Sequence, residues 1–330
     1  MRLFTKLAIP IDVAKDVSVC LFVIAFSMWL GQFYTEGDQM HYIAAYEAIS
    51  DADLLNGFLI YKSHITTAEP GHFFISWIFS SIIGFNKIFA MSVSNGFLAF
   101  LLIKLVKKIG GAPSVAYIFV LSNYYFFVMY LTAERLKFSF IFLLLAMLVM
   151  ERPKAPYLLF IFSVLSHLQM LILLVVREFE RYFLSTMRMF QRFSVKKSII
   201  TSLIKIFIII FILFYVFGEY LLWKIPQYMG ASGLISIWQS TLFMLMTLVY
   251  VKNRGQIVLF FIPIIVASLI IGPERIVIIA YFVFAYYAMQ YRRGLNYGIA
   301  LTMLYFGIKS IGFLSNILNT GQGFSDVLLE

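Results

Sequence analysis

The amino-acid sequence predicts an all-α, polytopic transmembrane helix bundle. Of its 330 residues, 62% are hydrophobic and only 13% are charged. Soluble domains carry roughly 25% charged residues. Mean hydropathy is +0.91, more apolar surface than a water-soluble fold hides, whereas lipid accepts it without penalty. Apolar runs near membrane length also recur along the chain. A hydrocarbon core about 30 Å thick needs about 20 helical residues.

Eleven runs are candidates: 17–34, 71–86, 88–106, 114–131, 136–150, 156–176, 198–217, 233–251, 256–271, 276–291 and 295–313. About ten or eleven crossings are therefore expected, in a single membrane-embedded domain spanning 1–330. The first run, Val17 to Tyr34, is too long for a signal-peptide core and lacks a small-residue cleavage site, so it reads as a retained span. Run 71–86 is short, and Pro263 is expected to kink 256–271. No internal repeat or low-complexity tract is present.

Two longer polar stretches interrupt the pattern. Residues 35–70 form a loop expected on the extracytoplasmic side. Residues 177–197 place Phe179, Tyr182, Phe183, Met187, Phe190 and Phe193 at helical spacing, with Arg177, Arg181, Arg188 and Arg192 elsewhere. That pattern predicts a basic amphipathic helix lying in the membrane interface. The net charge of +10 follows the cytoplasmic enrichment of Lys and Arg rather than nucleic-acid binding. The charge distribution favours eleven spans with a cytoplasmic N-terminus. If 71–86 does not cross, the later loops invert and the bias disappears.

One cysteine, Cys20, lies in the first run, so an internal disulfide and a thiolate metal cluster are both excluded. Asp38, His41, His64 and His72 lack zinc-type spacing. There is no phosphate-binding glycine loop and no nucleophile elbow. No metal and no cofactor is expected.

The candidate chemistry lies in the few polar residues beside the apolar runs. Asp38, Tyr42 and Tyr46 follow i, i+4, i+8 spacing and share one helical face. Glu69 precedes Pro70 and Gly71, where a helix start favours its charge; a solvated loop with a capping glutamate explains the same residues. Glu134, Arg135 and Lys137 separate two apolar runs. Charged groups at membrane depth usually have a partner or a task, and Lys137 is expected to snorkel to the interface. His167 sits eleven residues into run 156–176; it is either satisfied by a neighbouring helix or acts as a proton carrier or phosphate donor. Arg275 opens the tenth run after Gly272 and Pro273. A guanidinium at a helix start suits a diphosphate.

These residues, in order, carry a resemblance. GDQMHYIAAYEAI, AEPGHFFIS, AERLKFSFIFLLLA, VLSHLQMLILL and GPERIVIIAY resemble the motifs of the EpsG-like branch of Wzy-type polymerases, which build bacterial O-antigen and exopolysaccharide. The resemblance runs from Asp38 to Tyr281. It implies a GT-C-like, metal-independent membrane glycosyltransferase in the bacterial inner membrane with its active site facing the periplasm. Such an enzyme transfers a growing glycan from undecaprenyl diphosphate to a lipid-linked repeat unit. Lipid-linked oligosaccharides are then its partners, with room for a chain-length regulator and none for nucleic acid. By the same resemblance Arg135 and Arg275 bind diphosphate, Asp38, Glu69 and His167 are catalytic, and Tyr42, Tyr46 and Tyr281 contact substrate. Five candidate spans separate the two arginines, which puts them on opposite faces unless one segment does not cross or one arginine reaches deep into the bundle. The alternatives are a membrane acyltransferase modifying surface sugars, which is expected to show an early Arg and His that the first run lacks, and a lipid-glycan transporter or flippase, which is expected to be longer or to show two related halves.

Overall fold

The computed structural model describes residues 10–65, 69–152, 154–192, 232–270 and 273–324, with scattered helical positions between 200 and 211. The expected span 198–217 and the last residues of 177–197 lie mostly outside them. Among the described residues all regular structure is helical: α1 (Ile11–Gly31), α2 (Asp38–Ala48), α3 (Leu54–Ile65), α4 (Pro70–Trp77) with a π turn (Ile78–Ile82), α5 (Lys87–Lys108), α6 (Pro113–Ser122), α7 (Tyr124–Leu131), α8 (Glu134–Leu148), α9 (Ala155–Ser166), α10 (Leu171–Arg192), α11 (Ser232–Leu248), α12 (Arg254–Ile270), α13 (Pro273–Gln290) and α14 (Tyr297–Thr320).

Among these, three helices are long and apolar enough to cross a membrane: α1, α5 and α14. The bent pair α6–α7 makes a fourth. Other apolar helices among the described residues are shorter, Ala155–Ser166, Ile235–Leu248 and Arg254–Ser268. Run 114–131 breaks at Asn123, whose side chain caps α7 by accepting from Tyr125 N at 3.0 Å, with a bend of 57°. Run 156–176 breaks at His167, which is extended (φ −156°, ψ 114°) and followed by a 3₁₀ turn over Leu168–Met170. No Pro or Gly marks that break. By contrast α12 runs on through Pro263.

The chain groups into two compact units, Met1–Leu168 with Ala300–Glu330, and Gln169–Ile299. In the first, α5 is central. It packs on α1 and α8, and Gly96 lets α1 approach so closely that an added Cβ would meet Ile24 Cγ1 at 2.5 Å. Reciprocal hydroxyl bonds lock α8 to α9: Ser139 Oγ donates to Ser163 O at 2.6 Å and Ser163 Oγ to Ser139 O at 2.8 Å. Both serines are fully buried, and polar contacts of this kind hold helices together where lipid supplies no hydrophobic drive.

Two polar clusters mark opposite ends of this unit, separated along α5 by about 30 Å at 1.5 Å per residue. At one end Asp16 binds Lys107 at 2.7 Å and the Tyr117 hydroxyl at 2.8 Å, and Lys108 donates to Leu148 O at 2.8 Å. The start of α1, the end of α5, the start of α6 and the end of α8 therefore meet there. At the other end Lys87 binds Glu134 at 2.7 Å, and Thr35 N donates to Gly321 O at 3.1 Å.

Segment 70–86 begins and ends at this second end. Glu69, just before it, binds Arg135, and Lys87, just after it, binds Glu134. Two adjacent residues hold both ends, so the segment folds back. The alternative that 71–86 does not cross is the one the geometry supports. In vesicles, cysteines placed at Asp51 and Asn86 are expected to react with an impermeant maleimide from one side and a cysteine at Glu151 from the other. Labelling of 51 and 86 from opposite sides would restore the crossing.

Candidate functional site

The site at the second end is assembled from four segments. Glu69 precedes α4, Arg135 lies in the first turn of α8, His167 ends α9, and Tyr42 lies on α2. Arg135 donates through its Nη1 to Glu69 Oε2 at 2.7 Å and through Nε to the Tyr42 hydroxyl at 2.8 Å. The other Glu69 oxygen, Oε1, faces His167 Nδ1 at 2.8 Å. Glu69, Tyr42 and His167 are buried, whereas the Arg135 side chain keeps 13% of its surface open. Arg135 is thus the member that reaches the outside.

Local chemistry explains the assembly. Gly71 lies against the end of α9, where an added Cβ would stand 2.7 Å from Ser166 N. That close approach brings Glu69 to His167. The serine clasp between α8 and α9 then brings the start of one helix beside the end of the other, Arg135 beside His167. Burial alone would raise the Glu69 carboxyl, but the Arg135 charge and the His167 ring outweigh it and hold the pKa down to about 2. Glu69 is therefore a fixed anion at neutral pH. It accepts from His167 Nδ1–H, which leaves Nε2 as the basic nitrogen of the ring.

A second charged network, built around Glu134, adjoins this one. Glu134 Oε1 accepts from Lys87 at 2.7 Å and from Gln39 Nε2 at 2.9 Å, and Lys87 also donates to Gln39 Oε1. His72 Nε2 faces Glu134 Oε2 at 3.8 Å, beyond hydrogen-bond reach, while its Nδ1 meets the Tyr61 hydroxyl at 2.8 Å. Lys137 is fully buried, donating to Asn95 Oδ1 at 2.9 Å, with Asn95 in turn donating to Ser27 Oγ and Tyr130 O. The expected snorkel at Lys137 is therefore corrected: one turn past Glu134 it points into the α5–α8 contact. A small cleft beside this network is lined by Ser27, Tyr34, Gln39, Lys87, Asn95 and Glu134.

The other sequence candidates lie elsewhere. Asp38 opens α2 and is exposed, next to Gln39, which donates to Glu134. Tyr46 is buried and donates to Phe85 O at 3.0 Å, tying α2 to the turn before α5. Arg275, in the second unit, is half-buried on the first turn of α13. Tyr281, also in that unit, is fully buried beside Phe243 and Phe284.

No protein family, no curated protein and no solved structure matches this chain. Among the described residues, no three His, Cys, Asp or Glu side chains converge as a metal ion requires. Sequence reasoning missed Lys87, Gln39 and His72. Lys87 and Gln39 stand at the edges of apolar runs, where a solvated role explains them equally well, and His72 was weighed only as a metal ligand.

Removing one partner of a buried ion pair costs about 3–5 kcal/mol, so Glu69→Gln is expected to lower the unfolding midpoint sharply. Because the folded pKa lies below the ordinary 4.5, the carboxylate's stabilisation is complete above that pH and is lost as pH falls through about 2. Unfolding followed from pH 7 to pH 2 should show this acid limb in the wild type and a reduced one in Glu69→Gln.

Proposed function

We propose that the chain is a membrane glycosyltransferase of the polysaccharide-polymerase kind, taking a glycan from a lipid diphosphate. One observation carries this reading: Glu69, Arg135 and His167, far apart in sequence, converge with Tyr42 on one site at one end of a membrane-length bundle. Four of the short motifs that resemble the EpsG-like branch thus supply one constellation.

The charge pattern of the first unit supports an outward-facing site. Lys15, Lys104, Lys107, Lys108, Arg152 and Lys154 lie at the Asp16 end. The site end has Lys62 together with Lys87, Arg135 and the buried Lys137, of which Lys87 and Arg135 pair with buried carboxylates. Enrichment of Lys and Arg on the cytoplasmic side puts the Asp16 end inside and the site end outside. With 71–86 folded back, the charge bias holds within this unit. A periplasmic face of a bacterial inner membrane fits that orientation.

In the proposed reaction Arg135 holds the diphosphate through planar, charge-assisted hydrogen bonds. The acceptor hydroxyl attacks the anomeric carbon. A new glycosidic C–O bond forms, the bond from that carbon to the phosphate oxygen breaks, and lipid diphosphate leaves with the electron pair. The hydroxyl proton passes to His167 Nε2. Glu69 is a positioning residue: it fixes the imidazole tautomer and, held near pKa 2, is too weak a base to take the proton itself. Stabilising the departing diphosphate charge is the largest contribution such a site makes.

The test is purified protein mixed with lipid-diphosphate repeat units and no energy source. A ladder of longer products is expected. Arg135→Ala and His167→Ala should abolish it while the protein remains inserted, and Arg135→Lys should impair it. Asp38→Asn should leave it intact, since that side chain is exposed at the start of α2. Glu69→Asp should retain partial activity with an altered pH profile. A transporter leaves chain length unchanged, and full ladders in both Arg135→Ala and His167→Ala would remove the assignment.

A further inference from the structure

The segment between α1 and α5 has a surface that the proposed chemistry does not use. One face of α3 is fixed: Gly57, Tyr61 and Ile65, spaced i, i+4, i+8, are buried, and Tyr61 and Phe58 pack on Phe73 of α4. Trp77 Nε1 donates to Ala52 O at 2.8 Å and Ser81 Oγ to Ile49 O at 2.6 Å, tying the α2–α3 hairpin across α4 and its π turn. The opposite face of α3 presents Leu55, 79% exposed, and Leu59, 65% exposed, with Lys62 on their flank. On α4 and the π turn, Phe74, Ile82 and Ile83 are exposed as well.

We propose that α3 and the folded-back α4 segment form an interfacial shelf whose exposed apolar side lies in the lipid of the leaflet at the site-bearing end. Each such side chain left in water forfeits about 25 cal/mol per Å² of apolar surface, and lipid removes that cost. Lipid is the fitting occupant for two reasons. The segment enters and leaves at the same end of the crossing helices, so it lies along the membrane. The exposed apolar side of α1, a crossing helix, reaches that same end through Trp29 and Phe33. Lys62 beside Leu59 suits the boundary, its stem in apolar surroundings and its charge among headgroups.

The shelf is one helix thick. Its inner side carries Tyr61, bonded to His72, and its neighbour α2 carries Tyr42, bonded to Arg135. It therefore sets the guanidinium at headgroup depth. Resting on the function proposed above, this names the substrate's anchor: a lipid-borne diphosphate meets Arg135 without leaving its leaflet.

Cys20, the one cysteine of the chain, is buried, so single cysteines at Leu55 and Leu59 can carry an environment-sensitive fluorophore. The labelled protein is reconstituted in phosphatidylcholine–phosphatidylglycerol vesicles containing a lipid with a nitroxide high on its acyl chain. Strong quenching by the nitroxide lipid and weak quenching by aqueous iodide are expected at both positions. Strong iodide quenching without nitroxide quenching, or protection from both by a protein surface, overturns the shelf. Neither readout needs turnover, so the shelf and the glycosyltransferase assignment fail separately. Where turnover is seen, the double variant Leu55→Glu, Leu59→Glu is expected to raise KM several-fold for a long-chain lipid donor and to leave it unchanged for a short-chain, water-soluble analogue. Equal changes for both donors remove the link to the substrate's anchor.

Discussion

The fold of the first unit depends on two ion pairs made by adjacent residues. Arg135 takes Glu69 at 2.7 Å and Glu134 takes Lys87 at 2.7 Å. A charged side chain at membrane depth is costly unless it has a partner, and the partners here sit at the two ends of one apolar segment. Satisfying both charges keeps the two ends of that segment at the same end of the unit. The start of α8 is therefore at once the anchor of the shelf, the floor of the polar cleft and the origin of the guanidinium that faces outward.

Charge balance around that point is local. Glu69 answers Arg135 and orients His167. Glu134 answers Lys87, with His72 standing just beyond bonding distance. The neutral groups Gln39, Asn95, Tyr42 and Tyr61 supply further hydrogen bonds, as buried polar groups require. The Asp16 cluster at the far end of α5 is simpler: one buried carboxylate gathers Lys104, Lys107 and Tyr117. It ties the start of α1 to the end of α5, whereas at the other end Lys87 ties the start of α5 to α8 through Glu134.

Much of the site was legible one residue at a time. Glu69 beside Pro70, Arg135 between two apolar runs and His167 within one all stand out, because lipid makes a charged or titratable group conspicuous. Their meeting was not legible, since it depends on Gly71 against Ser166 and on the Ser139–Ser163 clasp. Glycine and serine in an apolar run are common and announce no contact by themselves. Asp38 and Tyr281 stood out as strongly, yet one is exposed and the other is fully buried; short-range spacing does not distinguish a site from a surface or an interior.

The sequence by itself determined the class of the protein, because composition alone decides whether apolar surface is hidden in water or offered to lipid. It determined helical structure, since apolar runs in lipid must satisfy their own backbone. Only the tertiary structure decided which runs are continuous, which segment folds back, and which charges pair. Those outcomes rest on contacts between residues far apart in sequence, 98 positions in the case of His167 and Glu69, and hydropathy along a chain records each residue's preference for lipid without recording the partner that meets it.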